Sequence, residues 1–375
     1  MKLPSLVTAT SLLSAQYGTT LNVDVTFANQ TFKLLVDTGS SDTYVVRNDF
    51  ICINQTTNLE IPQADCQHVS PGYNESDTYR LIPNKMFGIQ YGNGIASGVM
   101  AYEDITLAGI TVPGQAVGIV DHSNPMGDGI NSGVLGLAYP SPHLRTSRRP
   151  YRQYNILGLV SEPYFSIALA HTPRNLSMPT FGGYLTLGDL PPVAYDPKFA
   201  SVPVEILENI PPGFTSGKRT RSYWAFTVSA VTFGSTTKVD LTTSTTSITT
   251  NSMEFQVFTD TGNDYSYLPA VVADPINALF DPPAIYNETL GAAVVNCNAQ
   301  PPMFGVQIGD QTFYHDGQDL IYQTGDGYCV SSLVASERVA FEGIMLNILG
   351  VSFLKNVVSV YDFGRNELRF AQRSD

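Results

Sequence analysis

Two short segments of nearly the same sequence constrain this chain most. The first is LLVDTGSSDTYVV at residues 34–46, and the second is VFTDTGNDYSYLP at residues 257–269. In each segment an apolar run typical of a β-strand leads into an aspartate, Asp37 or Asp260, and the chain then turns on Thr-Gly. One Asp-Thr-Gly alone is an ordinary turn. Two copies in the same setting predict two related halves, each of which brings a carboxyl group out at the end of a strand.

A second repeat supports a duplication. Each half has two apolar residues followed by a glycine, at Gly136 within GVLGLAYP and at Gly350 within NILGVSFL. A proline-rich stretch, LPPVAYDPKF, begins at Leu190, near the middle of the chain. We place the boundary there and predict an N-terminal lobe at residues 1–192 and a C-terminal lobe at residues 193–375.

The composition favours strands over helices. The chain has 375 residues, of which 43% are hydrophobic, so it is long enough to form two packed domains. Alternating runs such as TTLNVDVTF and YWAFTVSAVTFG, with 31 glycines and 24 prolines, predict many short strands joined by turns. The best helix candidate is AVVADPINALF at residues 270–280. We therefore predict an all-β, bilobal fold with two pseudo-symmetric β-lobes and a central cleft.

Charge and motifs exclude several classes of function. A formal net charge of -13 repels nucleic acid and anionic membranes, and we expect neither as a partner. No segment is long and apolar enough to predict a membrane span. Histidines do not cluster near the cysteines, and the motifs of zinc proteases, serine hydrolases and P-loop proteins are absent. We predict no metal and no cofactor.

Cysteines and glycosylation sequons indicate an oxidising compartment. Four cysteines allow three pairings, and we favour Cys52–Cys66 and Cys297–Cys329 because these close short loops within one half. Paired cysteines with several sequons are typical of the secretory route, so we expect a secreted or vacuolar protein. The five Asn-x-Ser/Thr sequons, which we take as candidate glycosylation sites, are at Asn29, Asn54, Asn74, Asn175 and Asn287.

Two further segments need an interpretation. The N-terminal MKLPSLVTATSLLSAQYG is compatible with a short signal peptide or with a first strand of the folded body, and we favour the strand. The segment PHLRTSRRPYRQYN, which begins at Pro142, is basic and rich in turn residues within an acidic protein. We predict a solvated loop there.

The repeated aspartates suggest acid/base chemistry. If the two halves face each other across a pseudo-two-fold axis, Asp37 and Asp260 meet, and two carboxyl groups that close share one proton over an acidic range. The ionised group can then activate a water while the protonated group donates to a substrate carbonyl. Neighbouring residues would allow the tight turns and hydrogen-bond across the axis: Gly39 and Gly262 for the turns, and Thr38 and Thr261 for the bonds.

These segments resemble those of the pepsin-like aspartic endopeptidases, and most closely the fungal members. The two Asp-Thr-Gly segments are similar to the two catalytic motifs of that family, and FGIQYGNGIASG at residues 87–98 is similar to its flap, a hairpin that closes over substrate. GVLGLAYP and NILGVSFLKNVVSVYDFGRNELRFA resemble its hydrophobic-Gly elements and C-terminal strands, so the resemblance covers almost the whole chain. It implies acid-favoured hydrolysis of peptide bonds beside bulky apolar residues.

The resemblance also implies a role for each matching residue. Asp37 and Asp260 would be the catalytic pair, and Ser40 would hydrogen-bond Asp37. Tyr91 would lie over the bound peptide, at the end of the flap. The remaining implied roles are cross-braces at Thr38 and Thr261, a flap tip at Gly92, Asn93 and Gly94, and the two disulfides already favoured. Peptide or protein substrates, binding of statine-type inhibitors and a monomeric state are further expectations.

Four positions depart from the family pattern. Asn263 stands beside the second aspartate where Ser or Thr is usual, although its amide could still donate to Asp260. Asp264 adds a third carboxyl group, which would raise the pKa of the pair if it points inward and have no effect if it points outward. Tyr44 replaces the Trp that usually braces the flap tyrosine, and Val351 replaces an Asp.

These departures keep two alternatives open. One is a pepsin-fold protein that binds peptides or carbohydrate without cutting them, and the other is an enzyme whose carboxyl pair performs acid/base chemistry on a small metabolite. Both retained aspartates favour the endopeptidase. Only 36 residues precede Asp37, which leaves little room for the basic prosegment usual in the family, so we expect either a mature chain or a protein made without one.

Overall fold

The protein is mostly β-sheet with few helices, and the predicted all-β, bilobal fold is confirmed. The structure, a computed structural model, describes residues 8–91, 94–139, 160, 162–172, 178–210, 219–235, 248–324, 327–340 and 344–374. The basic segment that begins at Pro142, the sequon at Asn175 and the flap-tip residues Gly92 and Asn93 lie outside these ranges.

The strands are short and lie in both halves of the chain. Strands β1 to β11 are Thr8–Ala15, Thr20–Phe27, Gln30–Asp37, Tyr44–Ile53, Glu60–Ile61, Arg80–Tyr91, Gly94–Leu107, Ile110–Ser123, Gly133–Gly136, Tyr164–Leu169 and Thr180–Leu187. Strands β12 to β19 are Ala200–Pro203, Ala225–Val228, Ala230–Gly234, Ile248–Asn251, Phe255–Thr259, Ser266–Leu268, Ile285–Asn287 and Ala292–Val295. Strands β20 to β27 are Met303–Ile308, Gln311–Tyr314, Ile321–Gln323, Cys329–Ser331, Leu333–Ala335, Ile348–Leu349, Val357–Asp362 and Glu367–Gln372.

Helices are rare among the described residues. Helix α1 is Ala270–Asn277 and helix α2 is Val351–Leu354. The predicted helix at 270–280 is therefore confirmed, although it ends three residues earlier than expected. Over the described ranges, neither helix has the length and apolar character to cross a membrane.

The largest sheet joins the two halves of the chain. Strand β1 pairs with β11 and β2, so the strand interpretation of the N-terminal segment is confirmed for Thr8–Ala15. The C-terminal strand β26 pairs with β10, and β27 pairs with β12 and β26. Strands from both halves thus share one sheet, and the boundary near residue 192 stays a prediction.

The same arrangement of four strands recurs in each half. In the first half, β3 is parallel to β9, β9 is antiparallel to β4, and β4 is parallel to β8. The second half repeats these three relations in order: β16 is parallel to β25, β25 is antiparallel to β17, and β17 is parallel to β24. Asp37 ends β3, and Asp260 directly follows β16. The duplicated sequence therefore corresponds to a duplicated structure that places the two aspartates at equivalent points.

A buried tryptophan connects the two halves. The Trp224 indole N–H donates to the carbonyl of Leu137 at 2.8 Å. Its ring lies 4.6 Å from that of Tyr139 and 5.2 Å from that of Tyr361. Leu137 directly follows the hydrophobic-Gly element of the first half, so this contact fixes that element against the second half. The sequence shows a single Trp in a strand-like run but gives no sign of its partner.

Both predicted disulfides are confirmed. Cys52 on β4 is bonded to Cys66, and Cys297 is bonded to Cys329 at the start of β23. Each bond joins residues of the same half, and Cys52, Cys66 and Cys329 are buried.

Candidate active site

The Asp37 carboxyl group is held by its own loop. Its Oδ1 accepts hydrogen bonds from the N–H groups of Gly39 at 2.8 Å and Ser40 at 3.2 Å, and its Oδ2 accepts from the Ser40 hydroxyl. Asp260 has the corresponding bond from the N–H of Gly262 to Oδ1, at 2.8 Å. Among the described residues, Asp37 therefore accepts three hydrogen bonds from its own loop, and Asp260 accepts one from its own.

The two carboxyl groups face each other across the two loops. A methyl group at Gly39 would lie 2.5 Å from Asp260 Oδ1, and one at Gly262 would lie 2.9 Å from Asp37 Oδ1. Only the absence of a Cβ at each glycine permits this approach. Burial, and then the charge of Asp37, raise the pKa of Asp260 well above its usual value. The pair is therefore arranged to keep a proton on Asp260 beside the carboxyl group of Asp37.

Reciprocal hydrogen bonds hold the two loops together. The Thr38 N–H donates to Thr261 Oγ1, and the Thr261 N–H donates to Thr38 Oγ1, both at 3.0 Å. The Thr38 hydroxyl donates to the carbonyl of Thr259 at 3.1 Å, and the Thr261 hydroxyl donates to that of Val36 at 2.7 Å. Both threonines are fully buried. These bonds fix the separation of the two aspartates.

Replacing Thr261 with Val should destabilise the protein by about 2–4 kcal/mol, because it leaves the Thr38 N–H and the Val36 carbonyl buried without a partner. Thr261→Ser, which keeps the hydroxyl, should cost clearly less. Urea unfolding of the two variants beside wild type measures the difference. Equal losses would mean that packing of the methyl group, and not the hydrogen bonds, holds the loops.

The hydrophobic-Gly elements support the loops from behind. A methyl group at Gly136 would lie 2.6 Å from the backbone nitrogen of Asp42. In the second half, a methyl group at Gly350 would overlap the carbonyl oxygens of Asn263 and Tyr265. Each glycine therefore allows a loop to pass directly over the neighbouring strand, which explains why this element is repeated together with Asp-Thr-Gly.

The hairpin of β6 and β7 has its stem fixed by a loop that the sequence does not single out. Tyr91 pairs with Gly94 across the hairpin. The Ile95 N–H donates to Asn124 Oδ1 at 2.9 Å, and the Asn124 N–H donates to the Ile95 carbonyl at 3.0 Å. A methyl group at Gly94 would lie 2.6 Å from Met126 Cγ. Asn124 and Met126 thus limit how the hairpin can bend.

Tyr91 lies near Asp37. Burial, and then Tyr44 and Asp37, raise the pKa of its phenol well above the usual value. Tyr91 packs against a buried cluster that contains Tyr44 and Phe87, whose rings are 5.4 Å apart. Tyr44 is therefore placed under the hairpin tyrosine, where the resemblance implied a brace.

Comparison with known proteins agrees with this geometry. The profile of the eukaryotic aspartyl protease family matches residues 16–373. The chain belongs to this family. A probable aspartic-type endopeptidase of Aspergillus fumigatus is 37% identical, and the match covers 96% of this chain and 80% of that protein. Vacuolar protease A of Neurospora crassa is 25% identical, over 97% of this chain and 80% of its own. The crystal structure of an aspartic proteinase from Irpex lacteus has a TM-score of 0.67 at 21% identity and covers 98% of each chain.

Family membership decides between the alternatives that the sequence left open. The family match and the named relatives support a proteolytic, hydrolase function with peptide substrates. The likeness to the Irpex lacteus structure adds the fold. The non-proteolytic alternatives have no comparable support.

Two of the departures from the family pattern now have a structural context. The hydrogen bond that the Asn263 amide could have donated to Asp260 is absent from the described part of the chain. Tyr267 lies close to this loop: burial, and then the charges of Asp264 and Asp260, raise the pKa of its phenol. The backbone of Asn263 supports the loop, because its carbonyl accepts from the Val351 N–H at 2.9 Å. Asp264 lines a small cavity, and its charge adds to the rise in the Asp260 pKa.

An apolar cluster that includes Tyr223 and Tyr267, both near Asp260, was not predicted. Burial, and then the charges of Asp260 and Asp37, raise the pKa of Tyr223 to about 12, which places its phenol next to the pair. Tyr223 is one of four partly buried residues that pack against buried Ala225, Phe258 and Ile348; the others are Leu207, Tyr267 and Leu346. Because they come from four separate segments, no local pattern connects them.

Proposed function

We propose that Asp37 and Asp260 hydrolyse peptide bonds in an acidic medium through a water shared between them. The observation that carries the proposal is the placement of the two carboxyl groups against each other's glycine, within loops fixed by the threonine bonds. Proximity makes it costly to ionise both groups, so the pair is suited to hold one proton.

The ionised Asp37 takes a proton from the water while the water oxygen bonds to the substrate carbonyl carbon. Asp260 gives its proton to the carbonyl oxygen, which yields a neutral tetrahedral diol. In the second step Asp37 gives its proton to the amide nitrogen, the carbon–nitrogen bond breaks, and Asp260 recovers a proton from the diol. The pair thus returns to its starting state without a covalent intermediate.

A preference for bulky apolar side chains follows from the surroundings of the pair. Tyr223 and Tyr267, which belong to one cluster with Leu207 and Leu346, offer apolar ring surface next to Asp260. Burying a large apolar side chain there would contribute about 1.5–3 kcal/mol. We propose that this surface accepts a substrate side chain beside the cleaved bond.

A secretory or vacuolar location fits the remaining features. Relatives such as that of Neurospora crassa are named vacuolar protease A. Two disulfides are present, and the sequon residues Asn29, Asn74 and Asn287 are exposed while Asn54 is partly buried. We propose that the protease passes through the oxidising secretory route, carries glycan on exposed sequons and acts as a monomer.

Purified protein should cleave a denatured protein substrate at about pH 3–5, where the pair holds one proton. Mass spectrometry of the products should show cuts beside bulky apolar residues, and a statine-type inhibitor should block them. Folded protein that leaves the substrate intact from acid to neutral pH would overturn the proposal. Cleavage that the inhibitor does not block, and that depends on a side chain other than Asp37 and Asp260, would overturn the assignment of this pair.

A further inference from the structure

The hairpin of β6 and β7 ends beside the strand that carries Asp37. Tyr91, the last residue of β6, packs against the buried cluster that contains Tyr44 and Val134. Val134 pairs with Tyr44 on one side and with Leu35 on the other. Leu35 is two residues before Asp37 on strand β3. A peptide held at Asp37 would therefore lie next to this end of the hairpin, and the orientation of the hairpin should affect how well the peptide binds.

Asn124 extends the pairing of this hairpin beyond the end of the neighbouring strand. Strand β8 pairs with β7 and ends at Ser123, which lies opposite Ala96. One residue further along, the Asn124 N–H donates to the Ile95 carbonyl at 3.0 Å, and Asn124 Oδ1 accepts from the Ile95 N–H at 2.9 Å. The side chain therefore takes the place of a strand carbonyl and holds the first residues of β7.

The other end of the Asn124 amide is bonded to the body of the first half. Its Nδ2 donates to the carbonyl of Ile53 at 2.7 Å. Ile53 directly follows Cys52, whose disulfide to Cys66 is buried at both ends. The Gly127 N–H donates to the Cys66 carbonyl at 2.9 Å, so the segment after Asn124 is attached to the same disulfide. One amide thus joins the hairpin to a part of the first half that a covalent bond holds fixed.

The bonds of Asn124 are directional and shielded from water. Asn124 is only 6% exposed, so water does not compete for its partners. Another contact at this end of the hairpin is apolar, because a methyl group at Gly94 would lie 2.6 Å from Met126 Cγ. A methionine side chain is flexible and fills space without fixing a direction. The Asn124 amide is therefore better suited than Met126 to fix the orientation of the hairpin.

We propose that Asn124 is a positioning residue that holds the hairpin in the orientation that binds substrate. This inference rests on the proposed proteolysis at Asp37 and Asp260 and names what presets the hairpin for it. Without the amide bonds the free hairpin populates other orientations, and the apparent affinity for substrate falls with the fraction that remains competent to bind. Once substrate is bound, its own contacts hold the hairpin, so the chemical step at the aspartates is unaffected.

The test compares KM and kcat for a peptide substrate in wild type and Asn124→Ala. Loss of two buried hydrogen bonds should raise KM about tenfold, while kcat stays within about twofold of wild type. The Kd of a statine-type inhibitor should rise by a similar factor. Asn124→Ser is a second variant, whose hydroxyl cannot reach Ile95 and Ile53 at once, and it should show the same split between KM and kcat.

Hydrogen–deuterium exchange measures the hairpin directly. The first residues of β7 should exchange faster in free Asn124→Ala than in wild type, because the Ile95 N–H loses its acceptor. Bound statine-type inhibitor should restore slow exchange there. Faster exchange throughout the chain, with no excess in β7, would show a general loss of stability and overturn the inference.

Asn277→Ala is the matched control. Asn277 is also 6% exposed, and its Nδ2 donates to the carbonyl of Leu333 at 3.0 Å in the second half of the chain. This variant should lose stability and keep the KM of wild type. If Asn124→Ala leaves KM unchanged, or lowers kcat without raising KM, the inference is overturned while the proposed proteolysis stands. Absence of cleavage by wild type at every pH would instead overturn the proposed function.

Discussion

Asp260→Asn should lower kcat/KM for peptide hydrolysis by about 10⁴-fold, the upper end of what acid/base catalysis by a placed side chain contributes. Asparagine has the same shape and can keep the hydrogen bond from the Gly262 N–H. It cannot give up and recover the proton that both steps of hydrolysis require. The expected loss is therefore chemical and not structural.

Steady-state kinetics at the pH optimum, with thermal unfolding of the same samples, measures this effect. Asp310→Asn is the control and should retain full activity, because Asp310 is an exposed carboxylate whose Oδ2 lies 3.1 Å from Lys198 Nζ. Because burial and the charge of Asp37 raise the pKa of Asp260, wild type loses stability as pH rises through that pKa. Asp260→Asn should therefore be more stable than wild type at neutral pH. A variant that keeps activity within tenfold of wild type would refute the assignment of Asp260.

When pH falls from about 7 to about 3, wild type should lose about 3 kcal/mol of unfolding free energy that the His315→Phe variant keeps. His315 is buried, its ring stacks 4.5 Å from that of Phe304, and neither ring nitrogen has a hydrogen-bond partner within the described ranges. Burial lowers its pKa to about 4 from the usual 6.5, against the opposing charge of Asp319. The stability that its neutral form contributes is complete above pH 6.5 and is lost as pH falls through about 4.

Urea unfolding at the two pH values, for wild type and His315→Phe, gives the difference directly. His122→Phe is the control, since His122 is exposed and lies 2.6 Å from Asp121. If His315→Phe changes the unfolding free energy by the same amount at both pH values, the prediction is contradicted. His68 offers an independent check, because burial lowers its pKa to about 4 as well, and its effect on stability should have the same sign.

The Asp264 carboxyl group, near the catalytic pair, has the opposite effect on how stability depends on pH. The pKa of Asp264 is raised to about 7, so its contribution to stability is lost as pH rises. Between about pH 4 and pH 6.5 this loss offsets about half of the gain from His68 and His315. Single variants are therefore needed to separate the contributions of these three groups.

Several features of the fold and site could be predicted because they depend on neighbours in sequence. An apolar run that ends in Asp-Thr-Gly specifies a strand and a turn, and its repetition predicted the equivalent ends of β3 and β16. The pairings Cys52–Cys66 and Cys297–Cys329 follow from short loop closure. The helix at 270–280 was predicted with its end misplaced, because the turn that follows Asn277 leaves the apolar pattern unbroken.

The sequence by itself determined that two carboxyl groups stand at the ends of two similar strands. Tertiary structure alone decided that Tyr267 lies near Asp260, that Lys355 shares a cavity with Asp264, and that Asn124 fixes the stem of the hairpin. Strand and turn propensities act over a few residues, so they appear as local patterns. Contacts between side chains far apart in the chain depend on how the sheets pack, and no local pattern records them.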